Sequence, residues 1–209
     1  MTDLRIEEYN VGDIMTNCWF LCNADTDEII IVDPGGSAPQ LIKRIKERGL
    51  KPVAILLTHG HYDHAHGAKA IADEFGIKIY AHEAEIKTLE DPQINLSLMF
   101  GCSERYSADI YVKEGDILEI AGFKIRVIFT PGHTCGGVCY YLEGNKTLVS
   151  GDTLFCGSIG RTDFPGGSMS QLVRGIKDKL LDLPGDTEVL PGHESRTTIG
   201  YERQYNPYL

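Results

Sequence analysis

The sequence lacks any apolar run long enough to span a membrane, since no stretch approaches the roughly 18 apolar residues that a spanning helix needs. It also begins unlike a secretory signal, because MTDLRIEEYN carries acids where a signal carries basic residues followed by an apolar segment. These two absences predict a soluble, cytoplasmic protein that has no membrane partner.

Basic charge is also scarce, with 20 Lys and Arg residues against 30 Asp and Glu residues and a formal net charge of −10. A field of this sign repels phosphate backbones, so nucleic acid is not expected as a partner. The six cysteines include no C-x2-C pair of the kind found in zinc knuckles, and we expect them to be free thiols. The length of 209 residues predicts one domain, spanning residues 1–209.

Short runs rich in β-branched residues alternate with amphipathic stretches and Gly/Pro punctuation, a pattern typical of α/β proteins. Ten strands are predicted between residues 4 and 190, and helices are predicted over 38–48, 65–75 and 169–181. The segment 95–107 fits neither period. We expect it to cover part of an active-site rim.

Histidines collect where predicted strands end, in the segments AILLTHGHYDH, VIFTPGHT and EVLPGHE, which hold five of the seven histidines. A strand end followed by a glycine-containing loop is a common place for binding groups in α/β proteins. The three segments are therefore expected to converge on one centre.

The first segment contains His59, His61, Asp63 and His64 in the order H-x-H-x-D-H. Side chains at i and i+2 of an extended stretch point the same way, so His59 and His61 could hold one metal ion. A following helix would turn the Asp and the last His of the motif toward a second ion. Later segments supply the remaining ligands, which are His133 for the first ion, His193 for the second, and Asp152 in SGDTLF as a bridging carboxylate.

These residues resemble the metallo-β-lactamase superfamily over nearly the whole chain. The resemblance implies a four-layer αβ/βα sandwich with metals at one edge. It also makes Asp33, in IVDPGG, a buried hydrogen-bond acceptor that supports the metal loop, although Asp-Pro-Gly is also an ordinary turn. Residue type does not choose between zinc, iron and manganese, and two zinc ions are the first expectation.

Two ions bridged by Asp152 would share a water and lower its pKa enough to supply a hydroxide nucleophile. Asp63 and Asp152 are the carboxylates expected to serve catalysis. Superfamily β-lactamases commonly carry Cys at the bridging position, which favours another hydrolase here. The run GDTLFCGSIGRTDFPGG resembles glyoxalase II and its bacterial single-domain relatives, which hydrolyse glutathione thioesters such as S-lactoylglutathione. The expected partner is therefore a small acyl-thiol.

Arg161 would then anchor a substrate carboxylate, or else pair with Asp163. The sequence departs from glyoxalase II at its end, because it stops 16 residues after His193, whereas glyoxalase II continues into a helical domain that binds glutathione.

The alternative enzyme is a persulfide dioxygenase, which would use one iron at His59, His133 and Asp152. A metal-binding scaffold and a nuclease are the other two hypotheses. The complete set of seven ligands disfavours the first, and the acidic charge disfavours the second.

Overall fold

Two six-stranded sheets face each other in the computed structural model, which describes residues 2–209. The first sheet takes its strands in chain order: β1 (Leu4–Val11), β2 (Thr16–Asn23), β3 (Glu28–Val32), β4 (Lys51–Leu56), β5 (Lys78–His82) and β6 (Ile110–Val112). The first three strands pair antiparallel, whereas β3 to β6 run parallel. The parallel strands place the carboxyl end of β4 at one edge of the molecule.

The second sheet holds the other histidine segments. Its strands are β7 (Ile117–Ile120), β8 (Phe123–Phe129), β9 (Val138–Leu142), β10 (Thr147–Gly151), β13 (Glu188–Pro191) and β14 (Thr197–Thr198), in the spatial order β14-β13-β10-β9-β8-β7. A separate hairpin consists of β11 (Leu154–Phe155) and β12 (Ser158–Ile159).

The helices are short. They are α1 (Ala38–Arg48), α2 (Tyr62–Ala65), α3 (Ala68–Phe75), α4 (Ile86–Glu90), α5 (Met169–Gly175) and α6 (Ile199–Tyr205), together with 3-10 turns at Glu83–Glu85, Ser97–Phe100 and Glu143–Asn145. No helix of residues 2–209 has both the length and the apolar character that a membrane crossing requires.

Successive side chains of a strand point to opposite faces of the sheet. This alternation lets each inner strand contact helices on one face and the other sheet on the opposite face. In β2, Phe20 packs toward α1 and α3, whereas Trp19 and Leu21 pack against the second sheet. The outer face of the second sheet is covered by α5, α6 and the turn that follows α5. The result is the expected α/β fold, a four-layer sandwich ordered helix, sheet, sheet, helix.

Two predicted helices are wrong in detail. The helix expected over 65–75 is broken at Gly67, whose position leaves no room for a Cβ because that atom would lie 2.4 Å from the carbonyl oxygen of Pro34. The helix expected over 169–181 changes to a π-helical turn at Ile176–Leu180. The short strands β6, β11, β12 and β14 were not predicted, since two or three residues carry no readable period.

Candidate metal centre

Four strand ends supply the candidate ligands. His59 and His61 follow β4, His133 follows β8, Asp152 follows β10 and His193 follows β13. The chain is extended at His61 and becomes helical at the next residue, so α2 carries the other two members of the motif, Asp63 and His64. This change from strand to helix gives two groups of ligand atoms.

The first group contains His59, His61 and His133, all buried. Nδ1 of His61 lies 3.1 Å from Nε2 of His59 and 3.0 Å from Nε2 of His133. The ligand atoms are therefore two Nε2 atoms and one Nδ1 atom facing a common point. Such a three-histidine set suits zinc or iron.

The second group contains Asp63, His64 and His193. Oδ2 of Asp63 lies 3.4 Å from Nε2 of His64 and 3.2 Å from Nε2 of His193. The hydroxyl of Thr16 donates a hydrogen bond of 2.9 Å to the same Oδ2 and holds the carboxylate in place.

Asp152 lies between the two groups. Its Oδ2 is 3.5 Å from Nε2 of His133 and 3.7 Å from Nε2 of His193, and its Oδ1 is 3.4 Å from Nε2 of His64. Gly192 permits this approach, because a Cβ there would lie 2.3 Å from Oδ1 of Asp152. One carboxylate thus contacts ligands of both groups, the position expected of a bridge.

The donor set fits a pair of metal ions. Ligands at about 2.0 to 2.1 Å from a tetrahedral ion are about 3.4 Å apart, and the spacings within each group are close to that value. Nε2 of His64 and Oδ1 of Asp152 are buried without a hydrogen-bond partner. Buried polar atoms in that state are costly unless a cation binds them.

The electrostatics favour the same interpretation. Burial and the neighbouring imidazoles lower the pKa of His59 well below its usual range and that of His61 to about 3, so both side chains are neutral at pH 7, the form that binds a metal ion. Burial opposes the charge of Asp152, but His64 and other nearby histidines lower its pKa to about 2. Burial also opposes a charge on His64, yet surrounding carboxylates raise its pKa well above the usual range. The carboxylates around His64 therefore favour a positive charge in this part of the centre.

Asp33 supports both ligand groups, as expected from the resemblance. Its carboxylate accepts hydrogen bonds from Nδ1 of His64 (2.9 Å), the main-chain N–H of Thr58 (2.8 Å) and the Thr58 hydroxyl (2.6 Å). The Thr58 oxygen in turn lies 3.1 Å from Nδ1 of His59. These bonds keep a proton on Nδ1 of each histidine and leave Nε2 free as a ligand.

Arg161 lies on the wall of a cavity of about 440 Å³ that is also lined by five of the seven candidate ligands, namely His61, Asp63, His133, Asp152 and His193. Its guanidinium makes two hydrogen bonds of 2.7 Å to Asp163 and lies 3.9 Å from the ring centre of Phe164. The structure therefore has the ion pair that was one of the two interpretations of this residue. Its main-chain carbonyl has a further contact, a 2.7 Å hydrogen bond from Nδ1 of His133.

Glu85 is the supporting residue that sequence reasoning missed. Its buried carboxylate accepts hydrogen bonds from the main-chain N–H groups of Gly60 (2.9 Å) and Gly136 (2.6 Å), and from the hydroxyl of Thr134. It therefore joins the loop of the first two histidine ligands to the loop of His133. No local motif marks it, because its partners lie 25 to 51 residues away.

The loop of His193 is held by the facing sheet, another feature the sequence did not reveal. Nε1–H of Trp19 and the side-chain amide of Asn17 both donate to the carbonyl oxygen of Pro191, at 3.0 and 3.1 Å. The main-chain N–H of Asn17 donates to the carbonyl oxygen of Gly192 at 2.7 Å. The second ligand group thus depends on contact between the two sheets.

Curated relatives match this chain over nearly its full length. It is 41% identical over 201 residues to the probable metallo-hydrolase YqgX of Bacillus subtilis, which covers 95% of this chain and 94% of YqgX. It is 37% identical over 209 residues to the hydroxyacylglutathione hydrolase GloC of Haemophilus influenzae, and this alignment covers 99% of this chain and 98% of GloC.

Two solved structures have the same fold. The B3 metallo-beta-lactamase BLEG-1 is 42% identical, with a TM-score of 0.93 and coverage of 98% of this chain and 99% of that chain. TTHA1623 in a di-iron-bound form is 30% identical, with a TM-score of 0.86 and coverage of 97% and 100%. A family model of the metallo-beta-lactamase superfamily matches residues 11–193. The chain belongs to the metallo-beta-lactamase superfamily.

Proposed function

We propose that this protein is a hydrolase of thioester bonds that uses two divalent metal ions, zinc or iron. The observation that carries the proposal is the position of Asp152, whose carboxylate oxygens lie within 3.7 Å of His64, His133 and His193. A carboxylate shared by two complete ligand groups suits a centre with two ions better than a centre with one.

Two such ions supply an activated water at neutral pH and stabilise negative charge on the substrate oxygen. The residues of the chain position this chemistry. Asp152 holds the two ligand groups together, and Asp63 keeps its orientation through the hydroxyl of Thr16. The surrounding cavity adds apolar side chains, among them Phe155 and Phe164, beside the candidate ligands.

The thioester assignment is supported by the similarity to GloC, at 37% identity over the whole chain. A glutathione thioester is the proposed substrate class, with Arg161 as the anchor of a carboxylate on the thiol side. Arg161 can take this role by exchanging its partner, because the pair with Asp163 is exposed and a substrate carboxylate offers the same two acceptor oxygens.

Hydrolysis of β-lactam amides is the second candidate, favoured by the 42% identity to BLEG-1. It requires the same polarisation of a carbonyl group, so the ligands do not separate it from thioester hydrolysis. The persulfide dioxygenase hypothesis needs only His59, His133 and Asp152. The complete second group of Asp63, His64 and His193 supports two ions instead.

The test combines metal analysis of the purified protein with an anaerobic assay of S-lactoylglutathione and of a cephalosporin. Two ions per chain and anaerobic thioester cleavage are expected. Cleavage of the cephalosporin alone would identify a β-lactamase. One iron per chain, oxygen uptake with glutathione persulfide and no thioester cleavage would contradict the proposal and support the dioxygenase.

A second experiment tests Arg161. Arg161→Gln should raise KM for S-lactoylglutathione more than for the lactoyl thioester of N-acetylcysteamine, whose thiol carries no carboxylate. Asp163→Asn is the matched variant, because it frees the guanidinium and should lower KM for the glutathione substrate. Equal effects of Arg161→Gln on both substrates would remove Arg161 from substrate binding.

A further inference from the structure

The mouth of the metal cavity exposes large apolar side chains. Ile14, Met99 and Phe100 line the cavity with 37%, 66% and 46% of their surfaces exposed. Deeper in the same cavity lie Phe155 and Phe164. Exposed apolar surface that continues into a pocket commonly marks a ligand-binding wall.

The exposed wall is fixed to the metal-binding helix. The ring of Phe100 stacks on Tyr62 at 5.3 Å with an interplanar angle of 13°. The main-chain N–H of Tyr62, the residue before Asp63, donates a 2.7 Å hydrogen bond to the carbonyl oxygen of Asn95. Ile14 lies two residues before Thr16, which binds the carboxylate of Asp63. The wall therefore has a set position beside the second ligand group.

A guanidinium group lies at the other side of the centre, beside the first ligand group. Among the described residues that line the cavity, Arg161 is the one Lys or Arg side chain, and its main-chain carbonyl contacts His133. Phe164, beside Arg161, lies 5.9 Å from the ring of His61. The side chain of Arg161 is paired with Asp163, whereas Glu194 lines the cavity next to His193 of the second group. The cavity thus has an ion pair that could exchange for one carboxylate, and an apolar wall that favours an uncharged group.

We infer that the centre selects thioesters with an apolar acyl group, which packs on Ile14, Met99 and Phe100 while the thiol part lies toward Arg161. This assignment rests on the proposed hydrolase function and narrows its substrate class. A short hydroxyacyl group such as lactoyl leaves the wall uncovered, whereas an acyl chain of about six carbons covers it. The binding free energy then becomes more favourable with every methylene that is removed from water.

Binding can be measured apart from turnover with S-alkyl glutathione thioethers, which have no carbonyl group to cleave. Calorimetric titration of the metal-loaded protein should give S-hexylglutathione an affinity at least about tenfold higher than S-methylglutathione. Met99→Ser should abolish most of this difference. Leu98→Ser is the matched control, because Leu98 is 51% exposed on the same 3-10 turn but does not line the cavity.

Turnover gives the second measurement. The ratio of kcat/KM for S-hexanoylglutathione to that for S-lactoylglutathione should exceed about ten, and Met99→Ser should lower this ratio about tenfold while Leu98→Ser preserves it. Equal affinity for the two thioethers, or equal effects of the two serine variants, would overturn the inference. The protein could instead prefer S-hexylglutathione, lose this preference in Met99→Ser, and cleave no thioester. That result would overturn the proposed hydrolase function but would still support the apolar wall as a binding surface.

Discussion

Asp33 accepts a hydrogen bond of 2.9 Å from Nδ1 of His64, a ligand candidate of the second group. The same carboxylate oxygen accepts the hydroxyl of Thr58, which contacts His59 of the first group. All four residues are buried. One acid therefore orients a histidine in each group, and a change at this acid is expected to reach both ions.

Asp33→Asn tests that role. The variant removes the negative charge and one acceptor, and asparagine tolerates the backbone φ of 49° at this position about as well as aspartate does. We expect metal affinity to fall about 10- to 100-fold, with little loss of helix and strand content. Competition with a fluorescent chelator measures the affinity, and an unchanged dissociation constant would show that Asp33 serves only the turn.

Asp152→Ala tests the bridge. Loss of the shared carboxylate should reduce turnover on the order of a thousandfold and lower the metal content below two ions per chain. Circular dichroism should show an intact fold, because Asp152 follows strand β10 and lies outside the three buried apolar clusters. Full activity in this variant would rule out a bridging role.

The candidate ligands could be predicted because each lies in a short motif at the end of a strand. His59, His61, His133 and His193 follow strands whose apolar runs are readable without the fold. In the second sheet β10 and β13 are parallel, and two antiparallel pairings give β8 the direction of β10, so these three strands bring their carboxyl ends to one edge. Local pattern and strand direction were enough for this part of the site.

The supporting contacts could not be predicted in the same way. Glu85 belongs to a three-residue 3-10 turn, and its acceptor role appears only when two distant loops meet around it. Trp19 reads as one more apolar residue of a buried strand, yet its N–H holds the loop of His193. Such contacts depend on tertiary packing, which single-sequence periodicity does not describe.

Glu85→Gln tests the link between the two metal loops. Glutamine keeps the volume, but its amide nitrogen is a donor that cannot accept the hydrogen bonds that one carboxylate oxygen receives, which should cost about 1 to 3 kcal/mol of stability. Glu202→Gln is the matched control, since Glu202 is equally buried and accepts hydrogen bonds from Gly157 and Thr197 away from the ligands.

Both variants should lower the free energy of unfolding in denaturant titrations, but only Glu85→Gln should also weaken metal binding and lower kcat. Equal metal affinity in the two variants would assign Glu85 a structural role alone.

Glu7 makes stability depend on pH away from the centre. Hydrogen bonding to Arg48 holds the pKa of the Glu7 carboxyl at about 2, against an ordinary value of 4.5. Its pKa is depressed in the folded state, so the stabilisation is complete above about pH 4.5 and is lost as the pH falls toward 2. For this partly exposed pair we expect about 1 kcal/mol.

Glu7→Gln should remove this contribution, so its unfolding free energy should match that of the parent protein near pH 2 and fall below it near pH 6. Glu119→Gln disrupts a largely exposed pair with Lys124 and serves as the control. A constant difference between Glu7→Gln and the parent across this pH range would contradict the prediction.

Metal removal is expected to destabilise the fold, because the carboxylates of Asp33, Asp63 and Asp152 lie close together around His64 and bound cations would offset their negative charge. Each ion present at about 100 times its dissociation constant adds about 2.7 kcal/mol, so chelation of two ions should lower Tm by about 10 to 20 °C. A variant carrying both His59→Ala and His193→Ala loses one ligand from each group, and its Tm should not respond to chelator. If the Tm of the parent protein also failed to respond to chelator, the seven side chains would not form a metal centre. The negative charge of the clustered carboxylates would then have to be offset by something other than a metal ion.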